Sequence, residues 1–338
     1  MSEWTPGADD RVARCPIVSD GAAAVNYRSG ARATTIRSAG KKVSRPERKM
    51  THVVTKPTPP FRTRSGALEV HQIPAASDNL IWLLATPNGE AAAVDGPDAQ
   101  GVLDYCKTHG LTLTTILNTH THGDHIGINR DLGERGLLEK MRVVGPKRVA
   151  QDVPGITEPA DDGDRITFGG ASADVLLTEG HINGHISYVL DGVLFCGDTM
   201  FGAGCGYLFD GPPAKMWKSL SRLAALDGAT PVCCAHEYTQ DNLRFAFSVE
   251  PDNADLVHRI RSTWALRGDG GCSVPSTIAV ERSTNPFLRH ASPTLRERVA
   301  RAMPDRSLLG PEDVFAATRA LKDRKDYKKI TDADLPLG

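Results

Sequence analysis

Four side chains of the kinds that bind metal ions lie within six consecutive residues. They are His120, His122, Asp124 and His125, in the stretch THTHGDH that follows an apolar run. At a strand end the first two imidazoles project to the same side, because side chains two residues apart do. A turn at Gly123 then brings the carboxylate and the third imidazole around. Ligands packed this closely suit zinc, manganese or iron, so the stretch predicts a metal site rather than a polar surface loop.

Three further candidate ligands also follow apolar strands. They are His181 in EGHINGH, Asp198 in Gly-Asp-Thr, and His236 in Ala-His-Glu-Tyr. Taken singly, a histidine or aspartate at a strand end is more often structural. Four ligands cannot complete the shells of two metal ions, however, and α/β folds tend to place their chemistry just after strand ends. The seven side chains together therefore predict a two-metal site.

An α/β arrangement is expected to position these ligands. Alternation and short apolar runs predict strands at Glu69–Ile73, Leu80–Ala85, Glu90–Asp95, Thr114–Asn118, Arg142–Val144, Arg165–Phe168, Ala173–Thr178, Ile186–Leu190, Val193–Cys196 and Pro231–Ala235. Amphipathic spacing predicts helices from Asp124 and at Ala99–His109, Pro213–Leu226, Thr239–Val249, Ala254–Arg267, Thr294–Ala302 and Pro311–Lys325. We expect a catalytic α/β domain over residues 68–238 and a helical domain over 239–338.

The first 67 residues differ in composition from the rest. They carry thirteen Lys and Arg against five acids, a net charge of +8, so that the remainder is −9. Small polar residues dominate and hydrophobic periodicity is absent, which is typical of a disordered extension. Organelle targeting by residues 1–49 is a second interpretation, weakened by Glu3, Asp9 and Asp10. A third is a true initiator at Met50.

The composition of the whole chain excludes several classes of function. Its 338 residues are 40% hydrophobic and 24% charged, with a formal net charge of −1. Neither nucleic acid nor a membrane surface is therefore expected as a partner. No apolar run approaches the roughly 18 residues that a membrane span needs. The seven cysteines lack CxxC spacing and no secretory signal is visible, which predicts reduced thiols in the cytoplasm.

Beyond the ligands, the motifs resemble those of glyoxalase II, the hydroxyacylglutathione hydrolase family of the metallo-β-lactamase superfamily. THTHGDH is shared by the whole superfamily, and the resemblance runs from about Leu68 to Tyr327. The more specific motifs are VHQIP (70–74), SDN (77–79), GDTMF (197–201), GCG (204–206), AHEYT (235–239), VPST (274–277), NPFLR (285–289) and RALKD (319–323). The resemblance implies an α/β fold, a four-layer αββα sandwich followed by a smaller all-α C-terminal domain.

The resemblance also assigns the seven ligands to two divalent ions, zinc first, with iron or manganese as alternatives. His120, His122 and His181 are assigned to the first ion, and Asp124, His125 and His236 to the second. Asp198 is assigned to both ions, as the bridge between them. A hydroxide between the ions would attack the substrate, with Asp124 and Asp198 as the catalytic carboxylates. His185 matches a position that is not a ligand.

Some substrate contacts of the family are matched in this chain and others are not. Tyr238, Arg319 and Lys322 match contacts to the glutathione. Tyr207 stands where members commonly have Lys or Arg, and Phe209 where some have a tyrosine. We expect all five to bind the substrate, in a pocket that is less basic than usual. The alternative for Arg319 and Lys322 is a solvated helix face.

The function that the resemblance implies is hydrolysis of S-D-lactoylglutathione to glutathione and D-lactate, in methylglyoxal detoxification, by a cytoplasmic monomer. One alternative is a persulfide dioxygenase of the same superfamily with a single iron, which would not need the segment at His236 or the helical domain. Others are hydrolysis of a different thiol's thioester, a non-catalytic binding module, and a ribonuclease relative, which the acidic body disfavours.

Overall fold

The computed structural model describes residues 52–338, and a sandwich of two β-sheets forms its centre. The first sheet has seven strands in sequence order: β1 (Phe61–Arg62), β2 (Glu69–Ala75), β3 (Asn79–Ala85), β4 (Glu90–Val94), β5 (Thr112–Leu117), β6 (Arg142–Pro146) and β7 (Glu158–Ala160). The later strands are β8 (Arg165–Phe168), β9 (Ala171–Leu177), β10 (Ile186–Leu190), β11 (Val193–Gly197), β12 (Met200–Phe201), β13 (Gly204–Cys205), β14 (Pro231–Cys234) and β15 (Ser276–Thr277). The second sheet has the order β15-β14-β11-β10-β9-β8, while β12 and β13 pair as a separate hairpin.

Eight α-helices accompany the sheets in the described part of the chain. They are α1 (Gln100–His109), α2 (Gly127–Glu134), α3 (Pro213–Ala224), α4 (Thr239–Val249), α5 (Ala254–Gly268), α6 (Ile278–Thr284), α7 (Pro293–Ala302) and α8 (Pro311–Asp323). Side-chain caps fix the starts of several. The side-chain oxygen of Asn253 accepts from the amide of Leu256 at the start of α5, and Ser292 does the same for Leu295 in α7. Such caps satisfy amides that a helix end leaves unpaired.

The central strand β3 shows how the layers are built. All seven of its residues are buried. Its side chains alternate between two faces, because successive residues of a strand point to opposite sides. Leu80, Trp82 and Leu84 pack toward the second sheet, whereas Ile81 and Leu83 pack toward the helices. An unbroken apolar run is therefore what a strand covered on both faces requires.

Helices cover the outer faces of both sheets. Val102 and Cys106 of α1 and Leu132 of α2 pack on the first sheet, while Met216 and Leu220 of α3 join the core that includes the second. Helices α4 to α8 follow this part of the chain. The predicted fold class, an αββα sandwich followed by a helical segment, is confirmed.

The elements that sequence analysis missed are short. The strands β1, β7, β12, β13 and β15 have two or three residues each, and α6 has seven. Periodicity is not measurable over so few residues, and their pairing partners fix them instead. The predicted helix from Asp124 begins later, at Gly127, because the amide of His125 closes a turn onto the carbonyl of His122 at 3.0 Å.

The predicted disordered extension over residues 1–67 is wrong for residues 52–67. Val54 is buried, the amide of Thr55 donates to the carbonyl of Gly270 at 3.0 Å, and β1 pairs antiparallel with β2. This stretch lacks hydrophobic periodicity because individual residues contact different parts of the chain, and no long helix or strand places them on one common face. The interpretations for residues 1–49 concern a stretch outside the described residues.

Among residues 52–338, no helix is long and apolar enough to cross a membrane.

Candidate metal centre

The seven predicted ligands converge from four separate stretches of the chain. Each stretch follows the carboxyl end of a strand. β5 precedes His120, β9 precedes His181, β11 ends directly before Asp198, and β14 ends two residues before His236. Because β5 belongs to the first sheet and the others to the second, the ligands meet at one end of the sandwich, between the two sheets.

The first group consists of His120, His122, His181 and Asp198. Nδ1 of His122 lies 3.2 Å from Nε2 of His120 and 2.9 Å from Nε2 of His181. Nε2 of His181 also lies 3.3 Å from Oδ2 of Asp198. Donors about 2.1 Å from a tetrahedral metal ion would lie about 3.4 Å from one another. The spacing of this group is therefore close to that of a coordination shell.

The second group consists of Asp124, His125 and His236, with the other oxygen of Asp198. Oδ2 of Asp124 lies 3.6 Å from Nε2 of His125 and 3.3 Å from Nε2 of His236. Oδ1 of Asp198 lies 3.4 Å and 3.5 Å from the same two nitrogens. The two oxygens of Asp198 thus face different groups of donors.

Two buried atoms in this centre lack a hydrogen-bonding partner within the described residues. They are Nε2 of His125 and Oδ1 of Asp198, which face each other in the second group. A buried polar atom without a partner costs on the order of 1–3 kcal/mol, so such atoms are rare unless something else satisfies them. A cation between these donors would satisfy both. The residues present therefore fit divalent metal ions.

Carboxylates hold two of the imidazoles from behind. Nδ1 of His125 donates to Asp95 at 2.9 Å, and Nδ1 of His236 donates to Asp78 at 2.8 Å. Each imidazole is thereby fixed in the tautomer that presents the lone pair of Nε2 to the centre. Asp95 also accepts from the amide and the hydroxyl of Thr119 at 2.8 and 2.7 Å. Its oxygens are engaged, so it supports the ligands rather than joining them.

Backbone and amide groups hold two other ligands. Nδ1 of His181 donates to the carbonyl of Tyr207 at 2.7 Å, and Nδ2 of Asn79 donates to Asp124 at 3.0 Å. His185 stacks on His120, with ring centroids 4.6 Å apart, and accepts from the amide of Asp198 at 3.2 Å. Its ring thus contacts two of the candidate ligands, and its assignment as a non-ligand stays a prediction.

The electrostatics of the centre keep the carboxylate of Asp198 ionised and shift the pKa values of its imidazoles in opposite directions. Burial lowers the pKa of His120 well below its usual value. Burial alone would raise the pKa of Asp198, but the imidazoles of His125 and His236 outweigh it and hold that pKa well below its usual range. Burial would lower the pKa of His236, but the carboxylates around it, Asp198 foremost, raise it to about 9. Carboxylates that favour a proton on this imidazole also favour a metal cation beside it.

An open cleft of about 440 Å³ lies over the donors and has aromatic walls. The ring of Tyr238 stacks on His236, with centroids 4.7 Å apart. Phe209 stands edge-on to His181 at 5.3 Å. Tyr207 and Phe209 are 52% and 61% exposed, so their rings are available to a ligand. Among the described residues that line this cleft there is no lysine or arginine.

Arg319 and Lys322 lie in α8 and do not line the cleft. They are buried, at 6% and 7% exposure, so they do not form a solvated helix face either. Arg319 donates to the carbonyl of Cys205 at 3.4 Å and pairs with Asp323, while Lys322 donates to Asn242. Both charges therefore lie behind the hairpin that carries the cleft wall, and their contact with a ligand stays a prediction.

Sequence analysis gave no role to Asp78 or Asp95. Asp78 lies in the loop between β2 and β3, and Asp95 directly follows β4. In the sequence, Asp78 and Asp95 show only the pattern that the candidate ligands also show, a carboxylate next to an apolar strand. Their role becomes visible in the folded structure, where they contact residues far along the chain.

Two family models match the chain. The metallo-beta-lactamase superfamily matches residues 93–236, and the hydroxyacylglutathione hydrolase C-terminus matches residues 237–325. The hydroxyacylglutathione hydrolase of Maricaulis maris is 44% identical over 259 residues, which cover 76% of this chain and 98% of that protein. That of Gloeobacter violaceus is 46% identical, covering 75% and 99%. The crystal structure of ETHE1 from Myxococcus xanthus matches with a TM-score of 0.51 and 25% identity, covering 74% of this chain and 96% of that one.

Proposed function

The chain belongs to the hydroxyacylglutathione hydrolase family of the metallo-β-lactamase superfamily, and from this premise we propose that it hydrolyses S-2-hydroxyacylglutathione thioesters, S-D-lactoylglutathione first among them. The products are glutathione and the 2-hydroxy acid. The observation that carries the proposal is the convergence of seven nitrogen- and oxygen-donor side chains beneath an open cleft. Action in methylglyoxal detoxification, in the cytoplasm and as a monomer, belongs to the same proposal.

We infer that the centre holds two divalent ions, zinc first. His120, His122 and His181 would hold one, and the second group would hold the other. Asp198 would contact both through its two oxygens. When bound, such ions polarise a carbonyl and lower the pKa of water to near neutrality.

The chain's own residues bind and orient the substrate. Tyr238, Tyr207 and Phe209 offer aromatic faces along the cleft, beside the donors, and the two tyrosines also carry hydroxyls. Asp124 is half-buried and is fixed by Asn79 at 3.0 Å, so its carboxylate orients the attacking water. The leaving thiol has an ordinary pKa of about 8.5 and departs as a thiolate without a dedicated acid.

The alternative of a single-iron persulfide dioxygenase is not favoured. Such an enzyme would need neither His236 as a ligand nor the helical segment. In this chain Nε2 of His236 lies 3.3 Å from Asp124, and residues 237–325 match the hydroxyacylglutathione hydrolase C-terminus. Two metal ions per chain, with no oxygen uptake on persulfide, are the expected results.

A panel of thioesters tests the proposed function. The metal-loaded protein is expected to hydrolyse S-D-lactoylglutathione, and Asp198→Ala is expected to lose at least about a hundredfold in turnover, because both groups of donors lose a member. The matched control is Asp174→Ala, which removes an exposed carboxylate from β9. Free thiol release and metal content are measured together.

Two results would count against the proposal. Turnover confined to thioesters of another thiol would keep the chemistry and exclude glutathione as the carrier. Full turnover by Asp198→Ala would exclude the metal centre as the site of reaction.

A further inference from the structure

One tight turn carries the supports of two ligands in the second group. It connects β2 to β3 over residues 76–78, and Asn79 follows it as the first residue of β3. Asp78 accepts the Nδ1 proton of His236 at 2.8 Å. The side chain of Asn79 donates to Asp124 at 3.0 Å. The position of this turn therefore sets the orientation of two side chains that would hold the second ion.

The backbone of the turn is strained. Ala76 has a φ of +51°, in the left-handed region that an alanine rarely adopts. A residue persists in such a conformation only where the surrounding structure fixes it. Contacts from other parts of the chain therefore bear on the conformation of this turn.

The half-buried imidazole of His52 is hydrogen-bonded to the end of the turn. Its Nδ1 accepts from the amide of Val54 at 2.8 Å. Because an amide can only donate, the proton of the neutral imidazole lies on Nε2. Nε2 then donates to the backbone carbonyl of Asn79 at 2.9 Å. The imidazole thus holds the backbone of the residue whose side chain holds Asp124.

Residues 52–56, which we call the strap, are anchored on two sides. Toward the turn, the amide of Val53 donates to the carbonyl of Ser77 at 2.9 Å. On the other side, Arg267 of α5 donates to the carbonyl of Val53 at 2.5 Å. Two further amides of the strap donate to the loop that follows α5. The strap therefore connects the turn to a fixed part of the helical segment.

The strap precedes the stretch, from about Leu68, in which the family's motifs occur. We propose that His52 is a positioning residue for the second metal ion and acts through the turn at residues 76–78, an inference that rests on the two-ion centre of the proposed function. Without its hydrogen bond the turn gains freedom, and part of the binding free energy of the ion is then spent on ordering the ligands.

Metal affinity, measured apart from turnover, tests this inference. The probe is zinc, in competition with a chromophoric chelator on the full chain. His52→Ala is expected to bind one zinc equivalent about three- to tenfold more weakly than wild type and the other with unchanged affinity, as for the loss of one hydrogen bond that supports a ligand. His52→Gln keeps a donor at the place of Nε2 and is expected to recover most of the affinity. A general loss of stability would not distinguish the two equivalents.

The matched control is His109→Ala. It removes another imidazole that is bonded to a backbone carbonyl, that of Tyr105 at 2.9 Å, at the exposed end of α1. Both of its zinc affinities are expected to equal those of wild type. Four results would overturn the inference: a single zinc equivalent in wild type, wild-type affinities in His52→Ala, an equal loss for both equivalents, or no recovery in His52→Gln.

The two proposals fail in distinguishable ways. If His52→Ala weakens one zinc equivalent alone but wild type hydrolyses no glutathione thioester, the proposed function fails and the positioning role stands. If wild type hydrolyses S-D-lactoylglutathione and His52→Ala binds both equivalents as wild type does, the function stands and the positioning role fails.

Discussion

The imidazole of His236 depends on a carboxylate that is not itself a candidate ligand. Asp78 accepts its Nδ1 proton at 2.8 Å, which leaves Nε2 directed at Asp124 and Asp198. Removal of such a supporting partner typically costs about 10- to 100-fold in metal affinity. We therefore expect Asp78→Ala to weaken binding of one metal equivalent by about that factor and to leave the other unchanged. Competition with a chromophoric chelator measures both equivalents.

The exposed pair of β8 and β9 supplies the control for this substitution. Asp174 contacts Arg165 at the surface, and Asp174→Ala is expected to bind both equivalents as wild type does. If Asp78→Ala also retained both affinities, the hydrogen bond to His236 would have no part in fixing the ligand.

At the scale of residues, the sequence indicated the candidate ligands more readily than the carboxylates that hydrogen-bond to them. His120, His122 and Asp124 lie in one short motif after an apolar strand, so local pattern is sufficient to find them. Asp95 meets Thr119 and His125, which lie 24 and 30 positions away. No local pattern encodes contacts at that separation.

The loop that carries His181 packs against helix α3 at Gly180. Gly180, directly before His181, has a φ of +134°, and an added Cβ would lie 2.5 Å from Cα of Met216 in α3. That backbone is fixed, because Met216 and Leu220 are fully buried. We expect Gly180→Ala to lower the free energy of unfolding by about 2–4 kcal/mol through strain and overpacking. Guanidinium denaturation of the metal-free protein measures the loss.

A second glycine separates strain from packing. Gly163 has a φ of +82°, but an added Cβ there would meet no atom within 4 Å. Gly163→Ala is expected to cost only about 1–2 kcal/mol, from backbone strain. An equal loss for the two variants would mean that contact with α3 contributes nothing.

At the scale of elements, length decided what the sequence could predict. β3 and α3 span seven and twelve residues, enough for periodicity to show. β15 spans two, and it exists because Ser276 pairs with Val232 of β14. Such a strand is specified by its partner in the folded chain and not by its own residues.

The helical segment and the sandwich share one buried core. Phe245, Phe287 and Phe315 belong to the same cluster as the inner residues of the two sheets. The fully buried carboxylate of Glu281 accepts from the amide of Ala203 at 2.9 Å, at the turn of the β12–β13 hairpin. The sequence predicted a change of composition near residue 238, but composition does not reveal which surfaces meet.

Residues 52–67, on the amino-terminal side, also contact distant parts of the chain. Val54 is 3% exposed, and the amides of Thr55 and Lys56 donate to the carbonyl of Gly270 at 3.0 and 2.9 Å. The hydroxyl of Thr58 donates to the carbonyl of Val274 at 2.7 Å. The stretch thus links the first sheet to the loop between α5 and β15.

Two chains, one beginning at residue 52 and the other at residue 68, separate the contribution of residues 52–67 to stability. Burial of Val54 contributes about 1.5–3 kcal/mol, and each backbone or hydroxyl hydrogen bond about 0.5–1.5 kcal/mol. We expect the shorter chain to have a free energy of unfolding about 3–6 kcal/mol lower, measured by denaturant titration at fixed metal content. Val54→Ala in the longer chain isolates the burial term and is expected to cost about 1–2 kcal/mol. Equal stability of the two chains would mean that the contacts of residues 52–67 are not formed in solution, and it would restore the boundary at residue 67 that composition alone suggests.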